Sequence, residues 1–172
     1  YTSEKSLNDT HRCEDAIISA LVNSHLSGGA SPDDTWKHQV ILGTLHSYVI
    51  SGNEHTLKES LSSALAIQQQ SGSGGGINKI DPSIIDLKDD SGKTALHYAC
   101  SRQKNSTVQT LVNFGADCSI PQDDGLTPSH ICAKGLDDKI LSIILSATYP
   151  VRPNPNALDS QGQTPMYLAA AE

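Results

Sequence analysis

Apolar residues recur at helical spacing along most of this chain. Ile17, Leu21, Val22 and Leu26 predict a first helix over about residues 10–26, ended by Gly28-Gly29. Ser31-Pro32-Asp33-Asp34 then reads as a helix start. It offers a capping Ser, a Pro whose missing N–H costs nothing at the first position, and acids near the positive end of the dipole. The helix it opens is expected over 32–50 and carries Trp36. Leu57, Leu61 and Leu65 mark an amphipathic second helix. Leu111 with Val112, and Ile144 with Leu145, predict the apolar faces of two more. The stretch Tyr149-Pro150-Val151-Arg152-Pro153-Asn154-Pro155-Asn156 is expected to be loop, because proline cannot continue a helix.

The pattern also repeats at long range. Gly92 and Gly125, Thr94 and Thr127, and His97 and His130 are each 33 residues apart. A third copy, Gly162-Gln163-Thr164-Pro165-Met166-Tyr167, stands 37 residues after the second, and the Pro-rich loop accounts for the four extra residues. A divergent earlier copy, Leu45-His46-Ser47-Tyr48-Val49-Ile50-Ser51-Gly52-Asn53, lies 51 residues before its His97 counterpart. The excess of 18 matches the low-complexity run Gln68-Gln69-Gln70-Ser71-Gly72-Ser73-Gly74-Gly75-Gly76, expected to be a flexible insertion.

Thr94-Ala95-Leu96-His97-Tyr98-Ala99, Thr127-Pro128-Ser129-His130-Ile131-Cys132 and Thr164-Pro165-Met166-Tyr167-Leu168-Ala169 follow a T-P-L-H-x-A core at this period. That combination resembles the ankyrin-repeat family. The first copy departs at Ala95, the second at Ser129 and Cys132, the third at Met166 and Tyr167. The resemblance covers roughly 84–172 and implies an all-α fold, a solenoid of stacked helix-turn-helix units with short hairpin turns. Within it, Gly92, Gly125 and Gly162 would allow the turn before each helix pair. Thr94, Thr127 and Thr164 would cap the first helices, Pro128 and Pro165 would open them, and Gly115 would end a second helix in the left-handed conformation. The repeat histidines His46, His97 and His130 would bond backbone near the turns.

The expected organisation is an N-terminal helical extension over 1–30, a divergent first repeat over 31–67 and the insertion over 68–83. Repeats over 84–121 and 122–158 and an incomplete final repeat over 159–172 follow. Residues 1–66 are expected to form an N-terminal helical cap with one apolar and one polar side. The first residue is Tyr1 rather than Met, and the last copy stops within its first helix. The chain is therefore expected to be a monomeric fragment of a longer protein.

Composition narrows the function. Hydrophobic residues make up 37% and aromatics only 4%, which suits a thin stack of small aliphatic side chains. The net charge is -7 and no two Lys or Arg are adjacent, so the basic face that phosphate binding needs is missing and no nucleic acid is expected. No apolar run nears the roughly 20 residues of a membrane span, so no membrane insertion is expected. Cys13, Cys100, Cys118 and Cys132 form no C-x-x-C pair and read as reduced, buried thiols of a cytoplasmic or nuclear protein. One histidine per repeat cannot converge on a metal, and His11, His25, His38 and His55 have no ligand spacing. There is no G-x-S-x-G elbow, and the glycines after Ser71 lack the Lys-Ser/Thr ending of a phosphate loop. Asp33-Asp34, Asp89-Asp90, Asp123-Asp124 and Asp137-Asp138 are spread along the chain, unlike a calcium loop. No catalytic residue, metal or cofactor is expected.

The resemblance instead implies a non-catalytic scaffold binding another protein on its concave face, the hairpin tips and the exposed side of the first helices. By position these are Asp90, Ser91, Lys93, Tyr98, Ser101 and Arg102, then Asp123, Asp124, Leu126, Ile131 and Lys134, then Ser160, Gln161, Gln163 and Leu168. Tyr98, Leu126, Ile131 and Leu168 would form an apolar stripe behind acidic tips, with Tyr98 as anchor. Packing of Tyr98 and Ile131 between repeats is the competing expectation. The acidic tips imply a partner with a basic segment. The alternative function is a regulatory or autoinhibitory segment of a larger enzyme or exchange factor.

Overall fold

The computed structural model describes residues 35–70, 79–148 and 152–172. Eight helices and no strand occur among these residues: α1 (Thr35–Ser51), α2 (Glu54–Gln70), α3 (Pro82–Ile85), α4 (Ala95–Ser101), α5 (Asn105–Asn113), α6 (Pro128–Lys134), α7 (Asp138–Ser146) and α8 (Pro165–Ala171). The helix expected over 10–26, with Cys13, His11 and His25, lies outside the described residues.

The helices form two layers. In one, α4 packs between α1 and α6, and α6 packs between α4 and α8; in the other, α5 packs between α2 and α7. Each first helix also packs against its own second helix, α1 on α2, α4 on α5 and α6 on α7. This is an all-α solenoid in which each unit packs on the next. No helix of the described residues is long and apolar enough to cross a membrane.

Local chemistry sets the element ends. Thr94, Thr127 and Thr164 are extended residues capping α4, α6 and α8, and Pro128 and Pro165 fill the first turns of α6 and α8. The Asp137 carboxylate accepts from the Ile140 N–H at 3.0 Å and caps α7. At the end of α5, Gly115 takes φ 102°. Its N–H donates to Val112 and that of Ala116 to Leu111, at 3.1 and 3.0 Å. That pair of bonds satisfies two orphan carbonyls of the helix end.

The core runs along the seam between layers. Leu57, Leu61, Leu96, Leu111, Ile140 and Ile144 are almost wholly buried, each burial worth about 1.5–3 kcal/mol. Two predicted faces are thereby redrawn. The face of α5 is Val108 with Leu111, while Val112 is half-buried; that of α7 is Ile140 with Ile144, while Leu145 is exposed. Positions i and i+3 or i+4 share a helix face, whereas adjacent residues do not. The expected insertion also contracts at both ends. Gln68, Gln69 and Gln70 belong to α2, and Ile80 is buried in the core with Ile84 and Ile85.

Candidate partner-binding surface

The hairpin tips are built by aspartates. Asp89 Oδ1 accepts from the N–H groups of Ser91 and Lys93, both at 2.9 Å. Asp159 Oδ1 accepts likewise from Gln161 and Gln163, at 2.9 and 2.8 Å. Successive hairpins are tied by backbone, the Asp123 N–H donating to Ser91 and the Ser160 N–H to Asp124 at 3.2 and 3.0 Å. Gly92 takes φ 71°, and a Cβ there would collide with the Asp123 carboxylate and backbone, so glycine is required at this tip.

The repeat histidines lock each turn to its first helix. Nδ1 of His97 accepts from the Thr94 N–H at 3.1 Å, and Nδ1 of His130 accepts from the Thr127 N–H at 3.2 Å. Both rings are buried. Burial pushes the His97 pKa down to about 4, against the pull of the Leu126 and Ile120 carbonyls, so the ring is neutral at pH 7. Nδ1 of each ring is thus taken by the backbone of its own turn, as the resemblance implies, while Nε2 of His97 is buried without a partner.

On the first-helix side, Lys93, Tyr98, Ser101 and Ile131 line one cleft of about 200 Å³, together with His97 and Gln122. Asp124, Leu126, Lys134, Ser160, Gln161, Gln163 and Leu168 line a neighbouring cleft of about 150 Å³, together with Asp159. The structure thus gathers eleven of the fifteen proposed contact residues into two clefts. Asp90, Ser91, Arg102 and Asp123 are exposed but line neither.

Tyr98 serves packing and surface at once. It is half-buried, and its ring lies 4.8 Å from that of His46 on α1, centroid to centroid. Its hydroxyl donates to Asp89 Oδ2 at 2.6 Å, and Lys93 Nζ lies 5.8 Å from its ring centre. The bond to Asp89 raises the Tyr98 pKa, with burial adding to it. Burial pushes the Asp89 carboxyl up, but the Tyr98 hydroxyl and the N–H groups of Lys93 and Ser91 hold it below the usual range. Burial lowers the His46 pKa, against the Asp89 charge. Ile131 is also half-buried against the core. The apolar stripe is therefore partly spent between repeats, and Leu126 and Leu168 are likewise half-buried.

His46, Asp89, Gln122 and Asp159 also belong to this surface, although tip position alone does not point to them. The signal for three of them was present: Asp89, Gln122 and Asp159 each stand three residues before the turn glycine. The thiols of Cys100, Cys118 and Cys132 are free and buried. The Cys100 thiol is raised by its hydrogen bond to Cys132 and by burial, and burial pushes Cys118 up to about 12. Thiols held protonated in this way are poor nucleophiles and metal ligands.

Comparison with known proteins agrees with this architecture. The family model for ankyrin repeats, in three copies, matches residues 44–157. Ankyrin repeat and SOCS box protein 16 of Homo sapiens is 36% identical over 80 residues, 46% of this chain and 17% of that protein. NF-kappa-B inhibitor zeta of Mus musculus is 31% identical over 90 residues, 50% of this chain and 12% of that protein. The probable 26S proteasome regulatory subunit p28 of Saccharomyces cerevisiae is 30% identical over 95 residues, 53% of this chain and 40% of that protein. The chain thus spans less than half the length of each of these relatives. The ankyrin repeat domain of Bcl-3 superposes with a TM-score of 0.59 at 23% identity, over 74% of this chain and 50% of that one. That likeness concerns the fold alone. With two-thirds of its length matched by the family model and two helical layers in the expected register, the chain belongs to the ankyrin-repeat family.

Proposed function

We propose that this stack is a non-catalytic scaffold that binds another protein on the face made by its hairpin tips and first helices. Ankyrin repeats are protein–protein interaction modules. The observation that carries the reading is the pair of clefts, one between each two successive repeats, which together collect proposed contacts from three repeats. Asp90, Asp123 and Asp124 are exposed at those tips. They favour a partner that presents a basic segment. Among the described residues, His97 and His130 accept from backbone N–H groups of their own turns, and Cys100, Cys118 and Cys132 are buried. The free thiols fit a reducing compartment, the cytoplasm or nucleus.

The test is the salt dependence of binding. The immobilised chain captures its partner from extract, and affinity is then measured from about 50 mM to about 500 mM salt. Affinity falling steeply with salt supports acidic tips meeting a basic segment. A flat response removes the basic segment from the reading.

A further inference from the structure

Gln122 stands where the flanking repeats carry Asp89 and Asp159. Its backbone keeps the bond of that position: the Gln122 N–H donates to Leu126, as Asp89 does to Lys93 and Asp159 to Gln163. Its side chain has left the turn. Asp124 has taken over that task, Oδ1 accepting from the Leu126 N–H at 3.1 Å. Gln122 Nε2 donates to Asp124 Oδ2 at 2.8 Å. A carboxylate only accepts, so this bond fixes which end of the amide is nitrogen. Oε1 is left with no partner on a side chain only 9% exposed. A buried acceptor without a donor is disfavoured, and a ligand that supplies the donor removes the penalty.

The rest of the cleft has the same bias. The Tyr98 hydroxyl gives its proton to Asp89, and the Ser101 hydroxyl gives its proton to the Tyr98 carbonyl at 3.0 Å. The Tyr98 and Ser101 donors are thus spent and their lone pairs remain, while the buried His97 Nε2–H faces the Leu126 and Ile120 carbonyls without closing a hydrogen bond. The half-buried exception is Lys93, whose ammonium already sits near the Tyr98 ring. A group with many donors, no acceptor, a flat charged surface and a positive charge complements such a cleft; that group is a guanidinium.

Building on the partner-binding reading above, we propose that the cleft of Lys93, His97, Tyr98, Ser101, Gln122 and Ile131 receives an arginine side chain of the partner. The guanidinium donates to Gln122 Oε1 and takes the place of the Lys93 ammonium at the Tyr98 ring. Oε1 is shielded in the free protein. The half-buried Lys93 side chain therefore swings outward as the arginine enters. Gln122 is then the specificity-determining residue of the surface, because an aspartate at its position would be committed to its own turn.

The experiment is a two-dimensional NMR titration of the nitrogen-15-labelled chain with N-acetylarginine amide, and with its lysine and citrulline counterparts. Saturable shifts at the Gln122 side-chain amide and at Tyr98 and Ser101 are expected with arginine alone. Citrulline keeps the shape but carries an acceptor and no charge. Lys93→Ala is expected to tighten arginine binding by about threefold by removing the resident cation. Gln122→Leu is expected to weaken it by about fivefold or more. Circular dichroism of both variants confirms folding. No saturable shift, equal response to lysine or citrulline, or weaker binding in Lys93→Ala would each overturn the arginine pocket. If that happens while partner capture still depends on Tyr98 and Ile131, the partner-binding reading stands and the pocket alone falls.

Discussion

Nε2 of His130 donates to the main-chain carbonyl of Gln163, 33 residues further on, at 3.1 Å. The Thr127 N–H donates to Nδ1 of the same ring, so the proton must reside on Nε2. One buried imidazole thus closes its own turn and fastens the next hairpin. Replacing it by alanine leaves a buried N–H and a carbonyl without partners and opens a cavity. We expect His130→Ala to lower stability by about 2–4 kcal/mol in urea unfolding. His130→Gln should lose less, because Gln can still accept from the Thr127 N–H as in a capping box.

His97 gives the stability a pH dependence. Its pKa falls from 6.5 to about 4 on folding. Between those values the unfolded chain binds the proton and the folded chain does not, so stability declines as pH drops through that window. His97→Gln keeps an acceptor for the Thr94 N–H but cannot titrate. Its stability between pH 6.5 and 4 should fall less than that of the parent, by about 1–3 kcal/mol, in parallel urea titrations.

Asp86 acts with the opposite sign. Its Oδ1 accepts from the Asp117 N–H at 2.9 Å, while Oδ2 is buried without a partner. Burial, aided by the Asp117 charge and opposed by that hydrogen bond, raises its pKa from 3.8 to about 7. The folded chain holds a proton that the unfolded chain releases, so stability decreases as pH rises from 3.8 to about 7. Asp86→Asn should be more stable than the parent at pH 8 by about 1–3 kcal/mol, and the gap should close as pH falls towards 4. A gap that does not vary with pH would assign the effect to packing.

Leu136 holds φ 51° at the end of α6, while its neighbour Gly135 holds φ -80°. The left-handed residue here follows the glycine instead of being the glycine. Leu136 is 64% exposed, so little packing is lost on truncation. Leu136→Gly should therefore raise stability by about 1 kcal/mol, read as a higher thermal midpoint. An unchanged or lower midpoint would show that the unfolded-state entropy of the new glycine outweighs the relief.

What the sequence disclosed follows from what repeats. Thr94, His97, Thr127 and His130 recur in register and do the same job each time, so their capping role was legible. The pairing of layers followed from the same period. The His46–Tyr98 contact was not legible, because those residues are separated by the extra 18 residues and meet only when α1 packs on α4. The pattern leaves Tyr98 and Ile131 open between surface and packing, and they are half of each, since a first helix has one face towards its neighbour and one towards the clefts. Gln122 was hidden by its ordinary polarity. Only alignment with Asp89 and Asp159, joined to the shift of the turn bond onto Asp124, separates it from a solvated turn residue.

The most direct test of the central claim is partner recovery by the folded chain and two variants, each checked by circular dichroism. Tyr98→Ala with Ile131→Ala removes the apolar centre of the tip-and-first-helix face. Lys139→Ala with Ser142→Ala alters exposed positions of α7 in the other layer. The account predicts that the first pair lowers recovery by about tenfold or more, while the second leaves it unchanged. Full recovery with the first pair and loss with the second would contradict it, and would move the interface to the second-helix layer.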